Sequence, residues 1–299
     1  MNSLAFSPDG AILASGGADT TIRLWHRVAN GPGWAALGVP LRGQRDQIRA
    51  VAFGAQPRLL ASSSWDGSVW LWDLHGSHPQ GAPLTTHAGD TGAMAFSSTG
   101  NILAVDGLND ATIQLWDMTA RRPLGTPLTG PTGPVERIAF SPDGTTLAAT
   151  ADDGTLRLWN VRRRQPLGSP FSSGINSMSD LAFSPDGKTL ALANGDHTTL
   201  WDVAHRRPVG SPLTAHDGDV DGVAFSPTGA LLATGGAPDG HLWNLAPGMA
   251  GTYRQLAVAI PGPNPILNVA FSPTASLIAD SDTTGRIRLW NAATDREIG

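Results

Sequence analysis

Seven tryptophans stand at one phase along this chain. Trp25, Trp72, Trp116, Trp159, Trp201, Trp243 and Trp290 each follow a leucine, at intervals of 42 to 47 residues. A second ladder keeps step with them: FSPDG at Phe6, Phe140 and Phe183, FSPTG at Phe225, FSSTG at Phe96, and weaker forms at Phe53 and Phe271. A period in this range marks a chain built from like units. It overrides the prior of about two domains for this length, and residues 1–299 read as one array of seven repeats. Trp outnumbers Phe and Tyr (10 against 8 and 1), an imbalance the ladder explains.

Within each unit the text reads as short strands: SLAF, ILAS and TIRLW in the first, parted by PDG and ADT turns, and after the tryptophan a run such as RPLGTPL. Short runs rich in Leu, Val, Ile and Trp, punctuated by Asp-Gly, are hairpin signals. The plentiful Gly (36) and Pro (23) suit many tight turns. Four antiparallel strands in about 43 residues make a β-propeller blade. The expected fold class is all-β, a seven-bladed propeller with four antiparallel strands per blade, the last blade complete or cut short.

FSPDG, LAS, an Asp-containing turn and LWD, repeated at one phase, resemble the WD40 family over essentially the whole chain. More narrowly, LWDMTARRPLGTPLTG and LWDVAHRRPVGSPLTAH resemble the WD-repeat regions of bacterial multidomain signalling proteins. That resemblance implies a ring joined to a kinase, protease or nucleotide-binding switch.

Met1 stands where other repeats have the first apolar residue of their first strand, and Gly299 falls within the fourth run of the last repeat. The expectation is a domain cut from a longer polypeptide, or a ring closing with a stunted outer strand. Two connections run longer than the rest, through Ala29–Ala36 and Leu245–Tyr253. Long loops carry function more often than strands do; solvent-exposed filler is the expectation for both.

The family resemblance implies a hydrogen-bonded set of His, Ser or Thr, Asp and Trp in each blade. The His column holds Gln44, His87, Pro131, Gly174, His216 and Gly262; the Ser/Thr column holds Ser15, Ser62, Val105, Ala149, Leu192, Thr234 and Asp280. No repeat keeps all four members. A half-satisfied buried network is worse than an apolar one, so these blades are expected to rely on apolar packing. His87 and His216 read as structural.

A net charge of −5 and a pI near 5.8 argue against a general nucleic-acid binder. The absence of Cys excludes thiol nucleophiles and Cys-based zinc sites. No apolar stretch approaches the ~20 residues that cross a bilayer, and a soluble, cytoplasmic chain is expected. HDGDVDG at His216–Gly222 begins like a calcium loop, but Thr228 stands where the bidentate Glu is needed. The histidines show no ligand spacing. No metal, cofactor or catalytic residue is expected.

In WD40 proteins partners dock on the face made by the turns into the first strands and by the Asp-containing turns. Carried over by position, the partner-binding residues are Gln47, Arg49, Trp65, Asp90, Asn109, Glu136, Asp152, Asp219 and Asp221. The set is mainly acidic, and Trp65 is a typical interface anchor. The opposite face gathers Arg121, Arg122, Arg162, Arg163, Arg164, Arg206 and Arg207. The expected function is a protein-interaction or sensing module for a partner with a basic surface, within a bacterial signalling or defence protein. The alternatives are a scaffold packed against its own parent protein, and a propeller-based hydrolase or lyase.

Overall fold

A computed structural model describes residues 2–28, 33–56, 58–75, 79–84, 91–107, 111–172, 178–245, 253–274, 276–294 and 296–298. The chain is all-β, with no helix among these residues, and has the seven four-stranded antiparallel blades of a seven-bladed β-propeller. Four blades lie in a compact unit, Asn2–Ser172, and three in a second, Ser173–Gly299. Every blade is hydrogen-bonded in chain order. Blade 1 is Ser3–Phe6, Ile12–Gly16, Ile22–Arg27 and Trp34–Ala36. Blade 7 has all four strands, Ile266–Phe271, Leu277–Asp282, Ile287–Asn291 and Arg296–Glu297; its two-residue fourth strand matches those of blades 3 and 5 (Arg122–Pro123, Arg207–Pro208).

The two sequence ladders are one row of side chains. Phe6 pairs with Leu13 and Leu13 with Trp25, and the same register runs through Phe53, Leu60 and Trp72 and through Phe140, Leu147 and Trp159. In blade 7 Ile278 takes the middle place, between Phe271 and Trp290. Side chains directly opposite across an antiparallel pair touch, so a fixed Phe-to-Trp interval fixes the register. The middle residue is at most 1% exposed in every blade. The alanine that follows it, such as Ala14 or Ala104, is fully buried on the other face. Within each unit, apolar clusters span adjacent blades, as Ile12 and Leu24 meet Ile48 and Val51. Proline follows naturally in the fourth strands, because an edge strand can spare the N–H that proline lacks.

The FSPDG turn is held by its own side chains. Ser7 Oγ donates to Asp9 (2.5 Å) and accepts from the N–H of Ile12 (2.9 Å), while Gly10 takes a φ of 66° that favours glycine. Ser141, Asp143 and Gly144 repeat the arrangement.

Two expectations change. The long connections are not mere filler: Trp34 packs edge-on against Phe6, with centroids 5.8 Å apart, and Tyr253 lies against the core between blades 5 and 6. Three blades also keep a linked polar set, two of them by substitution. In blade 2, Gln44 replaces His and accepts from Ser62 Oγ (2.5 Å), which accepts from Trp72 Nε1 (2.9 Å). In blade 6, Thr234 Oγ1 lies 2.9 Å from His216 Nε2 and accepts from Trp243. In blade 7, Asp280 accepts from Trp290 and from Arg288 at 2.9 and 3.0 Å, and Arg288 donates to Pro261 O at 2.6 Å. A Cβ on Gly262, in the His column, would meet that guanidinium. Glycine there and arginine in the third strand are two halves of one replacement. Blades 3 and 4 follow the apolar expectation, since Trp116 Nε1 and Trp159 Nε1 have no hydrogen-bond partner.

Candidate protein-docking face

Three of the residues carried over from the sequence are aimed by a shared irregularity. The first strand shifts register between Ile48 and Ala50, between Val135 and Arg137, and between Val220 and Gly222. The skipped residues are Arg49, Glu136 and Asp221. A β-bulge re-aims the side chain of its extra residue, so the fold presents these three outside the regular register.

In the Asn2–Ser172 unit, Trp65 leaves the end of strand Leu59–Ser64 and donates its backbone N–H to Gln47 O at 3.2 Å. The residue is 38% exposed. The Arg49 guanidinium lies over that ring, 4.9 Å from its centroid. Gln47 is tied back to blade 1 through Asn2, whose Nδ2 also donates to Ile48 O at 2.9 Å. The neighbouring Asp66 accepts from Arg45 N (2.5 Å) and Ser68 N (2.9 Å). Burial pushes the Asp66 carboxyl up, but these bonds outweigh it and hold it below the usual carboxylate range. Glu136 stands beside Arg137, which donates to the Glu136 carbonyl. Asp152 is exposed at the tip of its turn. Asp90 and Asn109 lie outside the described residues.

Arg49 is half buried, and its Nε has no hydrogen-bond partner. Burial, helped by Arg137, lowers its affinity for its proton, against the opposing pull of Glu136 and Asp106. Asp106 is a residue the sequence reading missed. It is fully buried; Oδ1 accepts from Gly92 N at 2.8 Å, and Oδ2 has no partner. Burial pushes this carboxyl up to about 7, and Glu136 adds to the rise, while bonds from Gly92 and Ala93 and the charge of Arg49 oppose it. A signal was present in the repeat: Gly16, Ser63, Asp106, Thr150, Ala193, Gly235 and Ser281 share one column, in which only Asp106 is ionisable.

In the Ser173–Gly299 unit the same turns are acidic. Asp219 is exposed and Asp221 half buried, with Asp217 beside them in sequence and Asp239 in the turn that Ala237 N ties to Asp219 O at 3.3 Å, and no Lys or Arg lies within 215–224 or 236–241. His216 sits in the core of this blade, its ring 4.5 Å from that of His241. Burial and then His241 push His216 down to about 4. His241 Nδ1 pairs with Gln255 at 2.9 Å. Both histidines are structural, and among the described residues no group of His and carboxylates could hold a metal.

The arginines occupy the other end of their blades. Arg121, Arg164 and Arg206 take φ of 50° to 54° in the turn after the tryptophan strand, and Arg122 pairs with Asp117 at that end. Arg162, Arg163 and Arg164 line a groove of about 830 Å³ with Asn101, Asp143 and Asn160. All seven are exposed. The charge pattern is therefore mixed around Trp65, acidic around Asp219, and basic after the tryptophans.

Residues 1–26, 37–73, 121–160 and 206–243 match the family WD domain, G-beta repeat. A segment is 37% identical over 82 residues to the probable cytosolic iron-sulfur protein assembly protein 1 of Malassezia globosa, covering 24% of this chain and 23% of that one. Another is 37% identical over 106 residues to the protein transport protein SEC13 homolog B of Arabidopsis thaliana, covering 33% and 34%. A third is 28% identical over 109 residues to the periodic tryptophan protein 2 of Saccharomyces cerevisiae, covering 36% and 11%. The chain thus spans about a third or less of each of these relatives' lengths. The matched segments carry WD40 repeats, and the same row of Phe, an aliphatic residue and Trp crosses the blades outside them.

Proposed function

We propose that this chain is a protein-interaction module that docks partners through the residues at the starts of its first strands and in its Asp turns, and that its seven blades act as one domain. The observation that carries this reading is Trp65, a large aromatic held out of the core at 38% exposure beneath a stacked arginine. Exposed Trp and Arg are the residues interfaces most often use as anchors. The docking set in the first unit is Gln47, Arg49, Trp65, Glu136 and Asp152; in the second it is Asp219 and Asp221, whose charge suits a basic segment. The relatives' names, in iron-sulfur protein assembly and in protein transport, are consistent with an interaction role. We propose further, on the resemblance of the RRPLG-type segments to bacterial signalling proteins, that the module works beside an effector domain in the cytoplasm.

Affinity capture with immobilised wild-type protein and a folded Trp65→Ala variant tests the reading. A partner retained by the wild type should lose at least about 30-fold in affinity for the variant. An unchanged set of partners at unchanged affinity would refute it.

A further inference from the structure

The groove of about 830 Å³ at the end of the tryptophan strands lies between blade 3, that of Trp116, and blade 4, that of Trp159. Its acceptors are already engaged. Asn101 Oδ1 accepts from Ser97 Oγ at 3.1 Å and from Thr99 Oγ1, and Asn160 Oδ1 accepts from Arg163 N at 2.8 Å. The Asp143 carboxylate takes Ser141 Oγ on one oxygen at 2.5 Å and Thr145 Oγ1 on the other at 2.9 Å. The donors are open by contrast. Among the described residues, the side-chain NH2 groups of Asn101 and Asn160 and the guanidiniums of Arg162 and Arg163 donate to nothing. Arg164 is held in place across the groove, its Nη1 donating to Leu124 O of blade 3 at 3.1 Å. A Cβ on Gly125, whose φ is 72°, would strike that guanidinium, so glycine leaves the room in which the arginine joins the two blades.

Charge divides the same way. Three arginines line the groove against the one carboxylate of Asp143. Close by in blade 3, Asp117 and Arg122 stand opposite one another on paired strands and add no net charge. The adjoining groove, which shares Thr99 and Asn101, sets Arg58 and Arg121 against Asp73, with Asp9 within reach of Arg58. That groove is balanced, so the positive excess is confined to Arg162–Arg164.

An occupant of this groove must bring acceptors and negative charge. Single-stranded nucleic acid needs aromatic faces on which its bases stack, and no aromatic residue lines the groove. A membrane anchor needs apolar side chains that enter the lipid, and the large exposed ones among the described residues, Val28, Val39 and Trp65, are not part of the groove. A guanidinium fork matches a carboxylate. Arg162, Arg163 and Arg164 are successive residues of one turn, with Arg164 fixed at Leu124, so their forks suit several carboxylates in succession better than one phosphoryl group. Ile102, Leu124 and Val161 give the same groove an apolar lining for the aliphatic parts of such a segment.

We propose that the groove between blades 3 and 4 docks an acidic, Asp- or Glu-rich segment of a protein partner, gripped by Arg162, Arg163 and Arg164 with the amides of Asn101 and Asn160. Arginine clusters recognise acidic motifs in this way. The surface shares no residue with the Trp65 face and does not depend on the docking reading above.

The test is fluorescence anisotropy of the full chain with a labelled, capped decapeptide of alternating Glu and Ala. The comparison probes are its Lys and Ala counterpart, an Ala and Gly decapeptide bearing one phosphoserine, and a decathymidylate strand. Wild type should bind the Glu peptide at least about tenfold more tightly than each of the others, and more weakly as salt rises, because the arginines are exposed. Arg162→Ala with Arg163→Ala should weaken the Glu peptide at least about tenfold. Asn160→Asp keeps an acceptor for Arg163 N and places a carboxylate in the groove; it should weaken binding at least about fivefold. Arg206→Ala with Arg207→Ala removes the same charge from another blade and should change affinity less than about twofold. Near-ultraviolet circular dichroism and the unfolding midpoint establish that each variant is folded. The proposal is overturned if the wild type fails to bind the Glu peptide, or binds the phosphoserine peptide or the thymidylate strand more tightly. It also falls if the two double variants lose affinity equally, or if Asn160→Asp binds as well as the wild type.

Discussion

Two buried groups set the response of single residues to pH, and they act in opposite directions. Asp106 has a folded-state affinity for protons raised from 3.8 to about 7. Between those values the folded chain holds a proton that the unfolded chain has lost, so this group's contribution to stability diminishes as pH rises from about 4 to 7. Ionised and buried, it costs on the order of 4 kcal/mol. Asp106→Asn should therefore raise the unfolding free energy at pH 8 and change it little at pH 4, as denaturant titration at both pH values would show. His216 runs the other way. Its folded value is pushed down from 6.5 to about 4, so the unfolded chain takes up a proton first as pH falls. Stability is fully present above pH 6.5 and is lost toward pH 4, by up to about 3 kcal/mol. His216→Gln, which can still reach Thr234 as Gln44 reaches Ser62, should flatten that acid limb; an unchanged slope would mean that His216 is not the group responsible.

At the scale of the blade, the hydrophobic row and the polar link carry different loads. Leu103 has no exposure, and Leu103→Ala should cost about 2–5 kcal/mol in thermal or denaturant unfolding. Arg288→Ala would strand buried Asp280 and should cost about 3–5 kcal/mol. Arg288→Ala with Asp280→Ser, which restores the Ser/Thr column, should recover part of that loss. The row was legible in the sequence because it recurs: Phe, Leu and Trp return at a fixed interval, and only one register satisfies all seven blades. Outside blade 6, where His216 and Thr234 stand in their columns, the links were not legible, because blades 2 and 7 rebuild them with different chemistry. Gln44 looks like a lost histidine, and Arg288 falls outside the columns that were aligned. Trp65, Arg49, Glu136 and Asp221 could be named from position alone, but the bulges that aim three of them leave no mark in the residue types. Asp106 escaped notice because its importance comes from full burial, which residue type alone does not show.

For the chain as a whole, a net charge of −5 conceals unlike surfaces: mixed around Trp65, acidic around Asp219 and basic after the tryptophans. Exposed charges steer association and are screened by salt, whereas a half-buried pair is screened much less. Asp219→Lys with Asp221→Lys should thus slow association with a basic partner at low salt, and the effect should fade near 1 M salt. The effect of Arg49→Ala should persist. Stopped-flow association rates across a salt series would separate the two.

The account turns on Trp65 meeting a partner, and hydroxyl-radical footprinting of this indole in the free and partner-bound protein measures that directly. The account predicts strong modification of Trp65 in the free chain and protection in the complex. Equal modification in both states, with protection elsewhere on the same protein, would contradict it.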